Sequence, residues 1–225
     1  MVPYYDCDGI VIYNARCEDV LPSIDPATVD LLLTDPPYGI NLNTEYGARG
    51  RGKGAPAYDY APVAGDDEPF DPSPLLAYGR CILWGANNYA DLLPPTASWI
   101  VWDRLDGLWS KRGQGYNDGA DAELAWTNLG GTVRTFRHRW QGYHRKGEAG
   151  KLHPTQKPTD LMRWLVDKHT NPDDLVLDPY MGSGPVAQAC HELGRRYVGV
   201  ELVEDYCRIA VSRLAQQTLN FDEAS

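Results

Sequence analysis

The sequence lacks the features of disulfide-rich, metal-clustering and membrane-spanning chains. Its five cysteines are odd in number, widely spaced and never form a CxxC pair, so we expect no disulfide framework and a reducing, cytoplasmic location. Its five histidines show no metal-ligand spacing, so we expect no metal. No apolar run approaches the roughly 18–20 residues that cross a bilayer, and the first residues do not form a secretion signal. We therefore expect no membrane partner.

Two phosphate-binding signatures are also missing. The chain contains neither a GxGxxG run nor a GK[ST] triplet, which argues against a dinucleotide site and against a P-loop. What it does contain is an ordinary globular composition, 43% hydrophobic and 23% charged over 225 residues. A chain of this length can bury a core without covalent cross-links. We therefore predict one domain spanning residues 1–225.

Charge is distributed unevenly along the chain. The net charge is −10, yet residues 134–157 hold seven Lys or Arg against one acid, a local +6 that leaves −16 elsewhere. An acidic body with one basic segment can still dock a polyanion on one face. Phe136, Trp140 and Tyr143 lie among these cations, a composition that suits phosphate contact and base stacking. A solvated surface loop remains the alternative.

Short apolar runs alternate with helical patterns, which predicts an α/β fold. The runs are continuous rather than alternating, as in strands buried on both faces of a parallel sheet. They are Ile10–Tyr13, Val29–Thr34, Cys81–Trp84, Trp99–Trp102, Leu124–Trp126, Leu175–Leu177 and Tyr197–Val200. Helices are predicted from Pro158, over 183–194 and over 203–214. We predict a Rossmann-like open, mostly parallel sheet with helices on both faces. Residues 41–74, rich in Gly and Pro, are predicted to form a mobile loop.

Asp35-Pro36-Pro37-Tyr38-Gly39 is the first candidate site. Two prolines cannot continue a central strand, so the chain must leave the sheet and expose the residues after the strand. The Asp35 carboxylate and the Pro36 carbonyl can each accept one N–H, and Tyr38 can stack on a ring. This combination suits a flat group that bears an NH₂. An ordinary turn is the alternative interpretation.

The second candidate site lies near the C-terminus. The run from Asp178 to Gly184 reads DPYMGSG, comes directly after a predicted strand and opens a predicted helix. Its glycines allow a tight turn and the close approach of a ligand. Glu201 ends the next strand and can accept from ribose hydroxyls. Together these features predict a site for a nucleoside cofactor without phosphates.

These residues together resemble the amino-group DNA methyltransferases. Asp35–Tyr38 matches that family's D-P-P-Y tetrapeptide, and residues 178–184 match its D-P-F-x-G-S-G loop with Tyr180 in place of Phe. Residues 153–158 match its H-P-T-x-K-P signature, which contributes Lys157. The order of the motifs resembles the circularly permuted β group, of phage or prophage type, in which the catalytic motif comes first.

The resemblance implies a site-specific methyltransferase that uses S-adenosylmethionine, carries the corresponding fold in permuted order and acts on N6 of adenine in double-stranded DNA. The target base would be flipped out, the setting would be restriction–modification, and dimers are common in the group, so we expect a homodimer. The implied catalytic residues are Asp35, Pro36, Pro37 and Tyr38. The implied cofactor residues are Asp178, Pro179, Tyr180, Gly182, Ser183, Gly184, Glu201, Lys157 and Asp35. For DNA contact we select Arg137, Arg139, Arg145 and Lys146.

Target recognition is expected from a basic segment at about 104–157 and from the 41–74 loop, where Arg49, Arg51 and Lys53 could add phosphate contacts. Two alternatives stay open. One is N4-cytosine methylation, and the other is a DNA-binding protein without catalysis. Methylation at C5 of cytosine is excluded, because it needs a Cys nucleophile that normally comes directly after Pro, and no Cys here does.

Overall fold

The computed structural model describes residues 1–42, 45–46, 58–59, 63–106, 120–141, 144–145 and 156–222. Thirteen strands occur in these residues. They are β1 (Tyr5–Cys7), β2 (Ile10–Asn14), β3 (Leu31–Thr34), β4 (Glu45–Tyr46), β5 (Tyr58–Asp59), β6 (Cys81–Trp84), β7 (Trp99–Asp103), β8 (Ala122–Thr127), β9 (Arg134–Arg137), β10 (Trp140–Gln141), β11 (His144–Arg145), β12 (Leu175–Asp178) and β13 (Arg196–Glu201). The α-helices are α1 (Cys17–Val20), α2 (Thr159–His169), α3 (Pro185–Leu193) and α4 (Glu204–Asp222).

Nine of these strands form one mixed sheet in the order β1-β2-β13-β12-β3-β6-β8-β7-β9. The five central strands β2, β13, β12, β3 and β6 run parallel to one another. The strand β1 is antiparallel to β2, and β8 is antiparallel to both β6 and β7. The predicted α/β fold with a mostly parallel sheet is thus confirmed. The structure makes the predicted strand at Leu124–Trp126, now β8, antiparallel. It also adds the edge strands β1 and β9, which no continuous apolar run predicts.

The sheet separates two apolar layers, because its central strands alternate their side chains between two faces. Leu31 and Leu33 of β3 face the layer that contains α2, α3 and α4, whereas Leu32 faces the other. That second layer is closed by α1, by short 3₁₀ turns and by Phe70. None of the described helices is both long enough and apolar enough to cross a membrane.

Several element boundaries differ from the predicted ones. The predicted strand from Val29 begins only at Leu31, because Val29 still closes a 3₁₀ turn with Pro26. The predicted 183–194 helix begins at Pro185, since Gly184 before it has a positive φ of 75°. Pro158 precedes helix α2 as its N-cap rather than lying in its first turn.

The predicted loop over 41–74 contains local order where the structure describes it. β4 and β5 pair antiparallel within it, which the sequence did not predict. A two-residue ladder carries too few alternating positions to be visible in the sequence. Residues 63–74 fold back against the segment after Asp35. The cations selected in the loop, Arg49, Arg51 and Lys53, lie outside the described residues.

Candidate active site

Three neighbouring parallel strands end in acids at the same edge of the sheet. Asp35 directly follows β3, Asp178 closes β12 and Glu201 closes β13. Because β3, β12 and β13 are adjacent and parallel, their carboxyl ends converge, which is where ligands bind in open α/β sheets. The topology thus brings the two candidate sites of the sequence together.

A cleft of about 400 Å³ opens at this edge. Its lining combines residues from both candidate sites, namely Asp35, Asp178, Tyr180, Gly182, Ser183 and Lys157, with Thr34, Trp84, Gln156 and others. Of the predicted catalytic residues Asp35 alone lines it, and of the predicted cofactor residues Pro179, Gly184 and Glu201 do not. Pro179 lies in the turn between Asp178 and Tyr180, and the other two support the loop from behind.

The Glu201 side chain fixes the glycine loop by accepting a hydrogen bond from the loop backbone. One carboxylate oxygen accepts the Gly182 N–H at 2.8 Å and the other accepts the Val203 N–H at 2.8 Å. Burial raises the pKa of Glu201, although these N–H donors oppose the rise. Gly184 has to be glycine for packing, since a Cβ there would lie 2.7 Å from the Cβ of Ala210 in α4. The loop is therefore held rigidly against α4 and the end of β13.

Asp178 is buried and forms hydrogen bonds with groups from three elements. It accepts from the Thr34 hydroxyl at 2.6 Å, the Tyr197 hydroxyl at 3.3 Å and the Tyr180 N–H at 3.3 Å. Desolvation nevertheless raises the pKa of Asp178 to about 7, because these donors compensate burial only in part. This carboxyl therefore connects the glycine loop to the end of β3, directly before Asp35.

Asp35 is held by two donors from different parts of the chain. The Tyr38 hydroxyl donates to Oδ1 at 2.5 Å, and the Lys157 ammonium lies 2.6 Å from Oδ2. The side chain of Asp35 is 20% exposed, whereas that of Lys157 is 2% exposed. Burial raises the pKa of Tyr38 well above its usual range, so its hydroxyl stays a donor. None of the described residues donates to the Pro36 carbonyl, which leaves that acceptor available.

Glu123 is a site residue that sequence reasoning missed. It lies on β8, and its Oε2 is 3.1 Å from Lys157 Nζ while its Oε1 is 3.1 Å from Arg104 Nη1. Burial lowers the pKa of Lys157, but attraction to Asp35 and Glu123 outweighs this and leaves it raised. Burial, with repulsion from Glu123, raises the pKa of Asp35 against the influence of Lys157. Only the antiparallel pairing of β8 with β6 brings Glu123 here, and no local sequence signal shows that pairing.

Tyr38 packs its ring over Gly85, directly after β6. A Cβ on Gly85 would lie 1.9 to 2.4 Å from three ring atoms of Tyr38, and its φ is +69°. Lys157 Nζ also lies 5.9 Å from the centre of the Tyr38 ring and 5.3 Å from that of Trp84. Pro37 is half-buried on the other side of the tetrapeptide, where it faces Gly65.

The basic segment is partly built into the sheet. Arg137 is exposed on the edge strand β9, 3.7 Å from Asp103, and Arg139 is half-buried just beyond it. Phe136 and Trp140 are not available for base stacking as the composition suggested, because Trp140 is 3% exposed and Phe136 packs 5.3 Å from the Trp164 ring. The backbone of Arg145 lies in β11, and Lys146 lies outside the described residues.

Comparison with known proteins agrees with this geometry. A family profile described as DNA methylase, N6_N4_Mtase, matches residues 88–212, more than half of the chain. The match includes Lys157, Asp178 and Glu201, whereas Asp35 lies before it.

Individual relatives are distant but cover nearly the whole length. The Type II methyltransferase M2.LlaDCHI of Lactococcus lactis subsp. cremoris is 23% identical, with 94% of this chain and 91% of that protein aligned. The fold matches the crystal structure of the M1.HpyAVI–SAM complex, with a TM-score of 0.58, 24% identity and 91% and 98% of the two chains covered. It also matches PvuII DNA methyltransferase (cytosine-N4-specific), with a TM-score of 0.62, 15% identity and 94% and 88% covered. The chain therefore belongs to the N6/N4 family of DNA methylases.

Proposed function

We propose that this protein transfers a methyl group from S-adenosylmethionine to the exocyclic amine of a DNA base, and that the base is adenine. The observation that carries the proposal is a single cleft lined both by Asp35 and by the Gly182–Ser183 loop. An acceptor for an amine and a loop suited to a nucleoside thus face the same space.

The cleft residues fit this cofactor. Asp35 and Asp178 place carboxyl oxygens in the cleft that can face a cationic sulfonium, and the glycine loop offers backbone for close approach. When bound, S-adenosylmethionine supplies the methyl group that the amine takes up, and its sulfur leaves as a neutral thioether. We propose that the cofactor site is formed by Asp178, Pro179, Tyr180, Gly182, Ser183, Gly184 and Glu201. Gly184 and Glu201 would contribute by supporting the loop.

Asp35 and Pro36 would prepare the amine. An exocyclic amine is a poor nucleophile, because its lone pair is delocalised into the ring. Hydrogen bonds from its two N–H groups to the Asp35 carboxylate and the Pro36 carbonyl favour a tetrahedral nitrogen. The same acceptors stabilise the positive charge that develops on nitrogen, and such fixed groups contribute strongly in a partly dry site. Tyr38, whose backbone comes directly after Pro37, would hold the flipped base outside the stack.

Lys157 would act on Asp35 rather than on the cofactor alone. A carboxyl group acts purely as an acceptor only when it is ionised, and burial opposes ionisation of Asp35. An ammonium 2.6 Å away offsets that effect. We propose that Lys157 keeps Asp35 charged, while its aliphatic stem lines the cofactor side of the cleft.

Adenine is favoured by the D-P-P-Y tetrapeptide at residues 35–38. N4 of cytosine is the second candidate, supported by the shared fold with the cytosine-N4-specific PvuII enzyme. We further propose double-stranded DNA as substrate, contacted by Arg137, Arg139, Arg145 and Lys146, a permuted motif order, a restriction–modification setting and a homodimer.

The experiment is methylation of DNA from a methylation-deficient strain, with mass spectrometry of the nucleosides afterwards. We expect N6-methyladenine, and N4-methylcytosine would favour the second candidate. Asp35→Ala should lower incorporation at least about 100-fold, the size of effect seen when a fixed transition-state partner is removed. Cofactor affinity should stay within about threefold.

Asp91→Ala is the matched control, because Asp91 is an exposed aspartate in a 3₁₀ turn. Full activity of Asp35→Ala would refute the role of Asp35. A DNA-binding protein without catalysis would give no methylated nucleoside and no stabilisation by the cofactor. A true ligand at 100 times its Kd stabilises by about 2.7 kcal/mol.

A further inference from the structure

Asp66 holds the backbone of the segment after the D-P-P-Y prolines. It is 5% exposed. Its Oδ1 accepts the N–H groups of Tyr38 at 2.8 Å, Gly39 at 2.9 Å and Ile40 at 3.4 Å, and its Oδ2 accepts that of Leu42 at 2.7 Å. The Asp66 carbonyl accepts the remaining N–H of the segment, from Asn41, at 2.7 Å. Five consecutive backbone donors thus converge on one residue.

The need for this residue arises from the prolines. Pro36 and Pro37 take the chain out of the sheet, so the N–H groups of residues 38–42 have no strand to bond with. Gly39 and Asn41 have φ values of +72° and +47°, and such left-handed positions turn successive N–H groups toward one point. A concave row of N–H groups attracts an anion, and the Asp66 carboxylate supplies it from within the chain.

The packing around Asp66 fixes its position relative to the cleft. A Cβ on Gly39 would lie 2.6 Å from the Glu68 carbonyl oxygen and 2.9 Å from the Pro69 Cα. Phe70 lies four residues after Asp66, and the centre of its ring is 5.9 Å from that of Tyr180 in the glycine loop. The segment that carries Asp66 is therefore anchored to both halves of the site.

We propose that Asp66 is a positioning residue for methyl transfer, acting through the backbone of residues 38–42 to hold Tyr38 against Asp35 and the target base. This inference rests on the proposed function. Asp66 is more than 25 residues from Asp35 in sequence and touches neither reacting group. Its effect is geometric, since the ring and hydroxyl of Tyr38 are placed by a backbone that Asp66 holds.

The test compares Asp66→Asn and Asp66→Ala with Asp67→Asn, in which the neighbouring exposed acid loses the same charge. The first measurement is hydrogen exchange by mass spectrometry. We expect faster deuterium uptake in the peptide covering 36–42 of both Asp66 variants, with unchanged uptake over 175–185. Asp67→Asn should match wild type in both peptides.

The second measurement is the rate of tritiated methyl incorporation with enzyme in excess over DNA sites. We expect a loss of about 10-fold for Asp66→Asn, which keeps one acceptor oxygen. For Asp66→Ala we expect about 100-fold, the scale that a misplacement of about 1 Å can produce. Affinity for S-adenosylmethionine should stay within about threefold in every variant.

Three results would overturn the inference. One is unchanged deuterium exchange over 36–42 in the Asp66 variants. Another is faster exchange there combined with methyl-incorporation rates within twofold of that of Asp67→Asn. The third is a cofactor affinity in Asp66→Asn that falls in parallel with the rate, because the residue would then only support folding. If wild type itself transfers no methyl group, the proposed function fails, whereas failure of the inference alone leaves wild type active.

Discussion

Replacing Lys157 by methionine tests the ion cluster at the centre of the site. Lys157 Nζ lies 2.6 Å from Asp35 and 3.1 Å from Glu123 and is 2% exposed. Methionine keeps a long apolar stem but leaves Asp35 without its cation, while Glu123 keeps its ion pair with Arg104. Breaking a buried ion pair from one side costs about 3–5 kcal/mol. The carboxylates are 20% and 25% exposed, so water offsets part of the loss and we expect about 3 kcal/mol at pH 8.

The loss should depend on pH in a defined direction. Burial and Glu123 raise the pKa of Asp35, and Lys157 lowers it, so without Lys157 that pKa rises further above its unfolded value. A carboxyl with a raised folded-state pKa contributes no penalty below its unfolded pKa and a growing one as pH increases through the folded pKa. The difference from wild type should therefore be smaller at pH 5 than at pH 8.

Thermal unfolding at the two pH values measures this difference. In a domain of this size 1 kcal/mol corresponds to about 2–4 °C, so the midpoint should fall by about 6–12 °C at pH 8. Lys168→Met is the control, because Lys168 is exposed and contacts the Trp164 ring rather than a carboxylate. Equal losses at pH 5 and pH 8, or a variant as stable as Lys168→Met, would refute the electrostatic explanation.

Two further predictions concern a glycine and a buried acid. Gly85→Ala should abolish methylation, because the new Cβ would lie 1.9 Å from the Tyr38 ring. Gly130→Ala is the control, because Gly130 also has a positive φ but a Cβ there would have nothing within 4 Å. Equal methylation activity of the two variants would contradict the steric reasoning. Burial raises the pKa of Asp178 to about 7, so the folded state holds an extra proton between about pH 4 and 7 and loses stability as pH rises through that range. Asp178→Asn should remove up to about 4 kcal/mol of this decline over the full range, of which about 2.7 kcal/mol falls between pH 5 and pH 8. Guanidinium unfolding of both proteins at these two pH values measures it, and an equal fall in the free energy of unfolding in both would contradict the assignment.

Sequence periodicity predicted the elements that meet at the site edge. Continuous apolar strands before Asp35, Asp178 and Glu201 indicated parallel strands, and parallel strands place their ends together. The contacts of Glu123 and Asp66 could not be predicted this way. Glu123 reaches the site only through the antiparallel β6–β8 pairing, and Asp66 only because residues 63–70 fold back over residues 38–42. Both depend on long-range register, which a local pattern does not contain.

One weak feature of the sequence indicates the role of Asp66, namely the pair of prolines at 36–37. Two prolines at 36–37 predict a segment whose backbone donors lack a strand partner. Such donors need an acceptor, and buried backbone N–H groups almost always have one. The acids at 66–68 lie within the same loop. A search for acceptors near unpaired donors would have selected them, although not which of the three.

The residues from Phe136 to Trp140 show how one composition supports two opposite structures. As a charge run with aromatics, Phe-Arg-His-Arg-Trp predicts a solvated DNA-stacking arm. With a period of two, the same residues predict a half-buried strand with aromatic residues on one face and arginines on the other. The structure shows the side-chain alternation of the second pattern, since the Phe136, His138 and Trp140 rings neighbour one another and Phe136 packs on Trp164 of α2. The strand itself ends at Arg137. Arg137 and Arg139 occupy the alternate positions, so burial of the aromatic residues directs both arginine side chains away from the core.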